Sequence, residues 1–303
     1  MEKVIVVIGP TSVGKTKMGV ALAKKFNGEV ISGDSMQIYK QMDIGTAKVT
    51  EEEKEGIIHH CVDILNSDET YSVHDFQQTV RKKITEITQR GHVPIIVGGT
   101  GLYIKAALYD YQFDEMENDH HAINEKYKDY TNEQLHDHLK SIDEESAKTL
   151  HFNNRRRVLR AIEIYETTGK RKSEMLEEQE HICLYDAYFV GLTLPRDVLY
   201  ERINKRVDVM MENGLKEEME RLYSQGLTRN HQSMKAIGYK EWFDYYDHQI
   251  DLNDVLELIK KHSRQYAKRQ YTWFKNQFDV HWYDVNLENF EQTIEQVTDD
   301  IEK

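Results

Sequence analysis

Residues 9–16 read Gly9, Pro10, Thr11, Ser12, Val13, Gly14, Lys15, Thr16, directly after the apolar run Val4–Ile8. This is the spacing G-x-x-x-x-G-K-[ST], whose glycines let the backbone wrap an anion with its N–H groups pointing inward. Lys15 adds a positive charge for phosphate oxygens, and the Thr16 hydroxyl is placed for Mg2+. Most chains with such a loop act on the end of a nucleoside triphosphate, but nothing in the loop itself specifies that. The plain alternative, an ordinary glycine turn, fits poorly with a strand before the loop and a helix after it.

Two more segments carry polar groups at the ends of strand-like runs. Asp34 and Ser35 follow EVIS, and Gly98-Gly99-Thr100-Gly101 follows VPIIV. In doubly wound sheets ligands sit beyond the carboxyl ends of the strands, so three such segments on one edge point to a site. Singly, Asp34 also reads as a helix N-cap and Thr100 as a turn residue.

The net charge of −13 argues against a nucleic-acid partner until its distribution is considered. Residues 153–172 hold seven Lys/Arg against two Glu, residues 260–275 hold six Lys/Arg and no acid, and residues 283–303 hold seven Asp/Glu against one Lys. In the first island Arg156 and Arg160 share a helical face with Arg157 beside it, while Val158 and Ile162 mark the opposite, buried face. A solvated helix face is the bland reading; acids are nearly absent from its first two turns, so intrahelical pairing does not account for it. In the second, Lys261, Arg264, Lys268 and Lys275 form a stripe interleaved with Tyr266, Tyr271, Trp273 and Phe274. Basic residues among aromatics suit a phosphate backbone and unstacked bases, with Trp273 and Phe274 expected to serve packing. Arg202 and Arg206, at i and i+4, could reach the loop from outside or form an ion-pair face with Asp197 or Asp208.

The elements that must position these groups alternate. Strands are expected at Lys3–Ile8, Glu29–Ser32, His60–Ile64, Val93–Val97, Tyr188–Leu194 and Val280–Val285, with Pro94 near the start of its strand. Helices are expected at Lys17–Phe26, Ser72–Arg90 (Ser72 capping, Asp75 three residues on), Leu199–Tyr223 and Asp254–Phe278. Residues 114–180 are highly charged, without a clear strand, and read as helices, clearest at Glu133–Leu139 and Arg156–Tyr165. The expected architecture is therefore a doubly wound parallel α/β sheet, residues 1–113 and 186–303, with a helical insertion at 114–185. Cys61 and Cys183 have no metal-like spacing, and no apolar stretch approaches the roughly 20 residues that span a bilayer. The expectation is a cytoplasmic protein without zinc or membrane partner.

With these residues assembled, the chain resembles the bacterial tRNA dimethylallyltransferases (tRNA isopentenyltransferases, the IPP transferase family). The resemblance covers nearly the whole chain: GPTSVGKT, DSMQIYKQMDIGTAK, VGGTGLYIKAAL, RRVLRAIEIYETTGK, SMKAIGYKE and RQYAKRQYTWF. It implies a P-loop NTPase-like fold that holds the diphosphate of dimethylallyl diphosphate, with Mg2+, and transfers the prenyl group to N6 of adenosine 37 in the anticodon stem-loop of tRNAs reading codons that start with U. By the same resemblance Asp34 accepts a hydrogen bond from the adenine amine. Thr11, Lys15 and Arg206 contact the diphosphate, with Arg202 near enough to compete for that role, and Thr16 meets the metal. Asp34, Ser35, Met36, Gln37, Thr100 and Gly101, and Arg156, Arg157, Val158, Leu159 and Arg160 in the insertion, contact tRNA. Asn154-Arg155 departs from the family's common Asp-Pro. An adenylate isopentenyltransferase would share the loop and Asp34 without needing the insertion. A small-molecule kinase would need a lid over the loop that is not evident here, and a non-catalytic RNA-binding protein would not need the polar sheet edge.

Overall fold

A computed structural model describes residues 1–111, 120–177 and 181–303. In chain order its elements begin β1 (Lys3–Ile8), α1 (Lys15–Lys25), β2 (Gly28–Ser32), α2 (Glu51–Lys54), β3 (His59–His60), α3 (Val73–Gln89), β4 (Val93–Val97) and α4 (Gly101–Leu108). Five helices follow: α5 (His120–Lys126), α6 (Asn132–Ile142), α7 (Glu144–Thr149), α8 (Arg155–Thr168) and α9 (Lys172–Glu177). The chain then runs through β5 (Asp186–Thr193), α10 (Arg196–Glu212), α11 (Leu215–Ser224), α12 (Trp242–Tyr246), α13 (Leu252–Gln277), β6 (His281–Asp284) and α14 (Phe290–Glu302).

The six strands form one sheet in the order β3-β2-β4-β1-β5-β6, and every pairing is parallel. Alternate residues of β1 serve opposite layers, as the two-residue period of a strand requires. Ile5 and Val7 pack with Met18 and Leu22 of α1 and Ile294 and Val297 of α14. Val4, Val6 and Ile8 pack with Phe76, Val80 and Ile84 of α3 and Ile104 and Ala107 of α4. A strand covered on both faces must be apolar along its length, which is why VIVVI reads as a continuous run. The chain winds outward on one side of β1 through β2 and β3 and on the other through β5 and β6. The carboxyl ends of β1, β2 and β4 thus open where the winding reverses, the usual ligand position of a doubly wound sheet.

Helix α3 buries Phe76, Val80, Ile84 and Ile87 at helical spacing, and the expected cap is present: Ser72 with Asp75 forms a capping box at its start. Pro94 is the second residue of β4, opposite Glu29. Two expectations need correction. The strand expected at His60–Ile64 is reduced to His59–His60, because Cys61 and Asp63 take positive φ values of 62° and 56° that no strand allows. The helix expected over Leu199–Tyr223 breaks at Asn213–Gly214, where Gly214 has φ 96° and restarts the chain as α11. The acidic C-terminal run, for which the sequence shows only its charge, forms α14 and carries Ile294 and Val297 into the core at helical spacing.

The chain divides into two compact units, Met1–Tyr109 with Cys183–Lys303, and Asp110–Ile182. The expected insertion start at residue 114 lies outside the described residues. The second unit is helical and has its own core, in which Leu135 and Leu139 of α6 meet Val158, Ala161 and Ile162 of α8. Among the described residues no helix is long and apolar enough to cross a membrane.

Candidate active site

The phosphate-loop residues pass from β1 into α1, whose N-cap is Gly14. The Lys15 Nζ donates to the Pro10 carbonyl at 2.7 Å, curled across the loop. The N–H of Thr11 donates to Gln270 Oε1 at 3.0 Å, and Gln270 Nε2 donates to the Gly99 carbonyl at 3.0 Å. A single side chain of α13 thus joins the phosphate loop to the turn after β4. The approach is so close that a Cβ on Gly99 would lie 2.1 Å from Gln270 Nε2. Tyr266, one turn earlier on α13, donates to the same Gly99 carbonyl at 3.3 Å. Tyr266 reads from the sequence only as one of the aromatics of the second basic island, and Gln270 is not marked at all; their i, i+4 spacing within RQYAKRQYTWF is the signal that a shared face points at the sheet edge. Trp273 and Phe274 pack, as expected: Phe274 is buried, and Trp273 lies against Phe274 and Phe278.

Beyond β2, Asp34 Oδ1 accepts the Met36 N–H at 2.8 Å. No helix begins there, so this is a local turn bond and not an N-cap. Thr100 Oγ1 accepts the Ser35 N–H at 3.2 Å, which ties the second polar segment to the third. Gln37 is spent on structure: Oε1 accepts the Ser32 hydroxyl at 3.0 Å, and Nε2 donates to the Thr46 and Ala47 carbonyls.

These segments line two adjoining cavities. The larger, about 560 Å3, is walled by Thr11, Lys15, Thr16, Asp34, Arg202 and Arg206 among others. The smaller, about 340 Å3, shares Thr11, Asp34, Arg206 and Tyr266 with it and is otherwise bounded by Ile203, Val207, Met210, Ile237 and Ile259, with Lys235, Lys240 and Arg269. Asp34 therefore stands where the two meet. Both arginines of α10 reach the loop. Arg206 donates to Thr11 Oγ1 at 3.4 Å, and Arg202 Nε donates to the Ser12 carbonyl at 3.0 Å.

Burial dominates the electrostatics. It pulls the Lys15 ammonium from 10.5 down to about 7, helped by the nearby Arg206 and opposed by Asp34. It lifts the Asp34 carboxyl above the ordinary range, against the Met36 N–H, Lys15 and Arg206. Two cations and one carboxylate in a poorly solvated space are a setting for an anionic ligand with an ionisable neighbour. Among the described residues no cluster of three or more His, Cys, Asp or Glu could hold a metal.

In the second unit, Arg156 and Arg157 are exposed on α8. Arg160 pairs with Glu163 at 2.8 Å. Val158 and Leu159, expected with them as tRNA contacts, are buried in that unit's own core, which removes their side chains from any such role. Arg155, at the departure from Asp-Pro, is structural: it donates to the carbonyls of Tyr127 and Tyr130 and to Asn132 Oδ1.

A parallel α/β sheet carrying a phosphate loop, with a carboxylate and two arginines across the same cavity, defines a protein that handles a phosphorylated ligand at the sheet's switch point. The IPP transferase family model matches residues 37–277, and the chain belongs to that family. A tRNA dimethylallyltransferase of Bacillus cereus (strain AH187) is 54% identical over 287 residues, 94% of this chain and 90% of that one. A solved tRNA isopentenylpyrophosphate transferase of Staphylococcus epidermidis is 47% identical with a TM-score of 0.74, covering 100% of this chain and 99% of that one. A eukaryotic dimethylallyltransferase acting on tRNA is 33% identical with a TM-score of 0.85, covering 98% and 78%.

Proposed function

We propose that the protein transfers the dimethylallyl group of dimethylallyl diphosphate to N6 of adenosine 37 in tRNAs reading codons that start with U, giving N6-dimethylallyladenosine and diphosphate. The names carried by its close relatives support the reaction class. The observation that carries the residue roles is the position of Asp34 at the junction of two cavities, with Lys15, Thr11 and Arg206 lining the larger.

The adenine amine is a weak nucleophile because its lone pair is delocalised into the ring. Asp34 accepts its proton as the C–N bond forms, and a carboxyl lifted by burial is a stronger base than an exposed one. Lys15, Arg206, the Thr11 hydroxyl and the loop N–H groups stabilise charge on the departing diphosphate, where a single such contact is worth roughly 3–4 kcal/mol. The Thr16 hydroxyl beside Lys15 is a hard oxygen donor in the cavity that Asp34 and Glu53 also line, and among the described residues no cluster of three or more His, Cys, Asp or Glu surrounds it. That suits Mg2+, which takes most of its ligands from water and phosphate and would neutralise leaving-group charge.

The acceptor enters as a base turned out of the anticodon-loop stack, at a cost of a few kcal/mol. Ser35 and Met36 line the smaller cavity for it, with Thr100 holding the Ser35 N–H, and the exposed arginines of α8 offer phosphate contacts in the insertion. Action on tRNA, with no described helix long and apolar enough to cross a membrane, supports the cytoplasm as its place of work.

The test is mass spectrometry of tRNA incubated with the protein, dimethylallyl diphosphate and Mg2+, with AMP as a competing acceptor. One prenyl group on an anticodon-loop fragment is expected. Prenylation of AMP in preference to tRNA would instead assign the protein to the adenylate isopentenyltransferases.

A further inference from the structure

Two stretches singled out in the sequence, DIGTAK at 43–48 and SMKAIGYKE at 233–241, supply no group to the chemistry above. They meet at one carboxylate. Glu218, on α11, is 2% exposed. Its Oε2 accepts the N–H groups of Asp43 at 2.9 Å and Ile44 at 2.8 Å. Its Oε1 accepts the Gly45 N–H at 3.0 Å and the Tyr239 hydroxyl at 2.6 Å. Four donors converge on a carboxylate with about four acceptor sites, so the group is saturated. Gly45 lies against the Tyr239 ring, where a Cβ would fall 2.5 Å from ring carbons. Burial and the Glu218 charge keep the phenol protonated as a donor.

The loop so held is a wall of the site. Gly45 lines the smaller cavity beside Asp34, Thr46 and Ala47 line both cavities, and the Thr46 and Ala47 carbonyls anchor Gln37. The opposite wall of that cavity includes Ala236, Ile237 and Gly238, which immediately precede Tyr239. Glu218 follows directly after the break at Gly214, on the chain that bears Arg206 one helix earlier.

We propose that Glu218 is a positioning residue for the transfer: with Tyr239 it latches the Asp43–Ala47 loop and so sets the wall against which the acceptor base is placed next to Asp34. This rests on the proposed function, and one arm of its test does not.

Glu218→Gln keeps shape and burial but turns an N–H2 donor toward two of the four donors, whichever way the amide lies. Hydrogen exchange in a peptide spanning 40–48 should then rise at least about tenfold, with α1 and β1 unchanged, because a lost bond to a buried charged acceptor is worth at least that factor in local opening. The KM for tRNA should rise about tenfold or more and the KM for dimethylallyl diphosphate by clearly less, since only Thr46 and Ala47 of the loop also line the larger cavity. Tyr239→Phe removes one of the four bonds and should move both readouts the same way by about threefold; it carries the test alone if Glu218→Gln does not fold. Unchanged exchange at 40–48, or a fall in turnover matching a loss of folded protein with both KM values unaltered, would overturn the latch. A wild-type protein that prenylates no tRNA sinks the functional reading, while the exchange result still decides whether Glu218 holds the loop.

Discussion

The side-chain amide of Gln270 receives the backbone N–H of Thr11 at 3.0 Å across 259 residues of sequence. Its other end holds the Gly99 carbonyl, and the side chain is buried. Gln270→Ala takes the acceptor from the Thr11 N–H and leaves the Gly99 carbonyl with Tyr266 alone, so the loss is that of about one unsatisfied group, about 1–3 kcal/mol. Thermal unfolding should register that loss. Because Thr11 is freed to rotate away from the cavity, the KM for dimethylallyl diphosphate should also rise. A melting shift with no change in that KM would confine Gln270 to structure.

Asp34 offers a cleaner substitution. In Asp34→Asn the side-chain oxygen can still accept the Met36 N–H, so the turn after β2 survives while the proton acceptor is lost. Turnover should fall by about 10^2–10^4, with tRNA binding in a filter assay within about threefold of wild type. Turnover at the wild-type rate would remove Asp34 from the base role. Because burial lifts its carboxyl, the acid limb of the pH–rate profile should lie above the ordinary carboxylate range.

Lys15 sets the other limb. In the ligand-free protein its proton leaves as pH rises through about 7, and a bound diphosphate needs that proton. Affinity for dimethylallyl diphosphate should therefore fall as pH rises from 7 to 9, by at most about tenfold per unit. Calorimetric titration at several pH values measures the slope. Lys15→Arg keeps its charge throughout this range and should flatten the dependence even if it binds less tightly. Stability of the empty protein runs the opposite way. Between about 7 and 10.5 the unfolded lysine holds a proton that the folded one has lost, so unfolding becomes harder as pH rises through that window.

Arg206 and Arg202 separate by what they touch. Arg206 reaches the Thr11 hydroxyl, while the more exposed Arg202 is committed to the Ser12 carbonyl. Arg206→Gln should cost about 10^2–10^3 in kcat, the scale of a lost oxyanion contact, and Arg202→Gln less than tenfold. Equal effects in single-turnover assays would mean that both arginines hold the leaving group.

Much of this is legible in the sequence. The phosphate loop is local, so eight consecutive residues suffice to announce it. The strands of a sheet covered on both faces show as short apolar runs, and the Ser72–Asp75 capping box is written at fixed spacing. Arg202 and Arg206 were found by their i, i+4 spacing, but that spacing cannot say which arginine meets a ligand. What stayed hidden depends on distant pairing. Gln270 is one amide among many until Thr11 and Gly99 are placed against it. Glu218 sits in an ordinary amphipathic helix, and only the fold shows three backbone N–H groups aimed at it. The break at Gly214 was masked by apolar spacing that continues in phase on either side of it. Val158 and Leu159 enter the RNA-contacting group through the resemblance of the whole segment Arg156–Arg160, although the four-residue spacing of Val158 and Ile162 already marks the buried face of α8.

The basic island of α8 can be resolved into two functions. Arg156 and Arg157 are exposed, whereas Arg155 is bound to the carbonyls of Tyr127 and Tyr130. Replacing Arg156 and Arg157 together by Ala removes two phosphate contacts if the insertion binds tRNA. Affinity should then drop similarly for all substrate tRNAs, and the slope of log affinity against log salt should shrink by about 1.5. The KM for dimethylallyl diphosphate and the melting curve should not move. Arg155→Ala should do the reverse, loosening the junction of α5 and α6 and lowering thermal stability while leaving the salt slope nearly intact, since its guanidinium already serves the protein. If the two changes gave the same salt slope and the same melting loss, the island would act through the fold of the insertion and not through its charge.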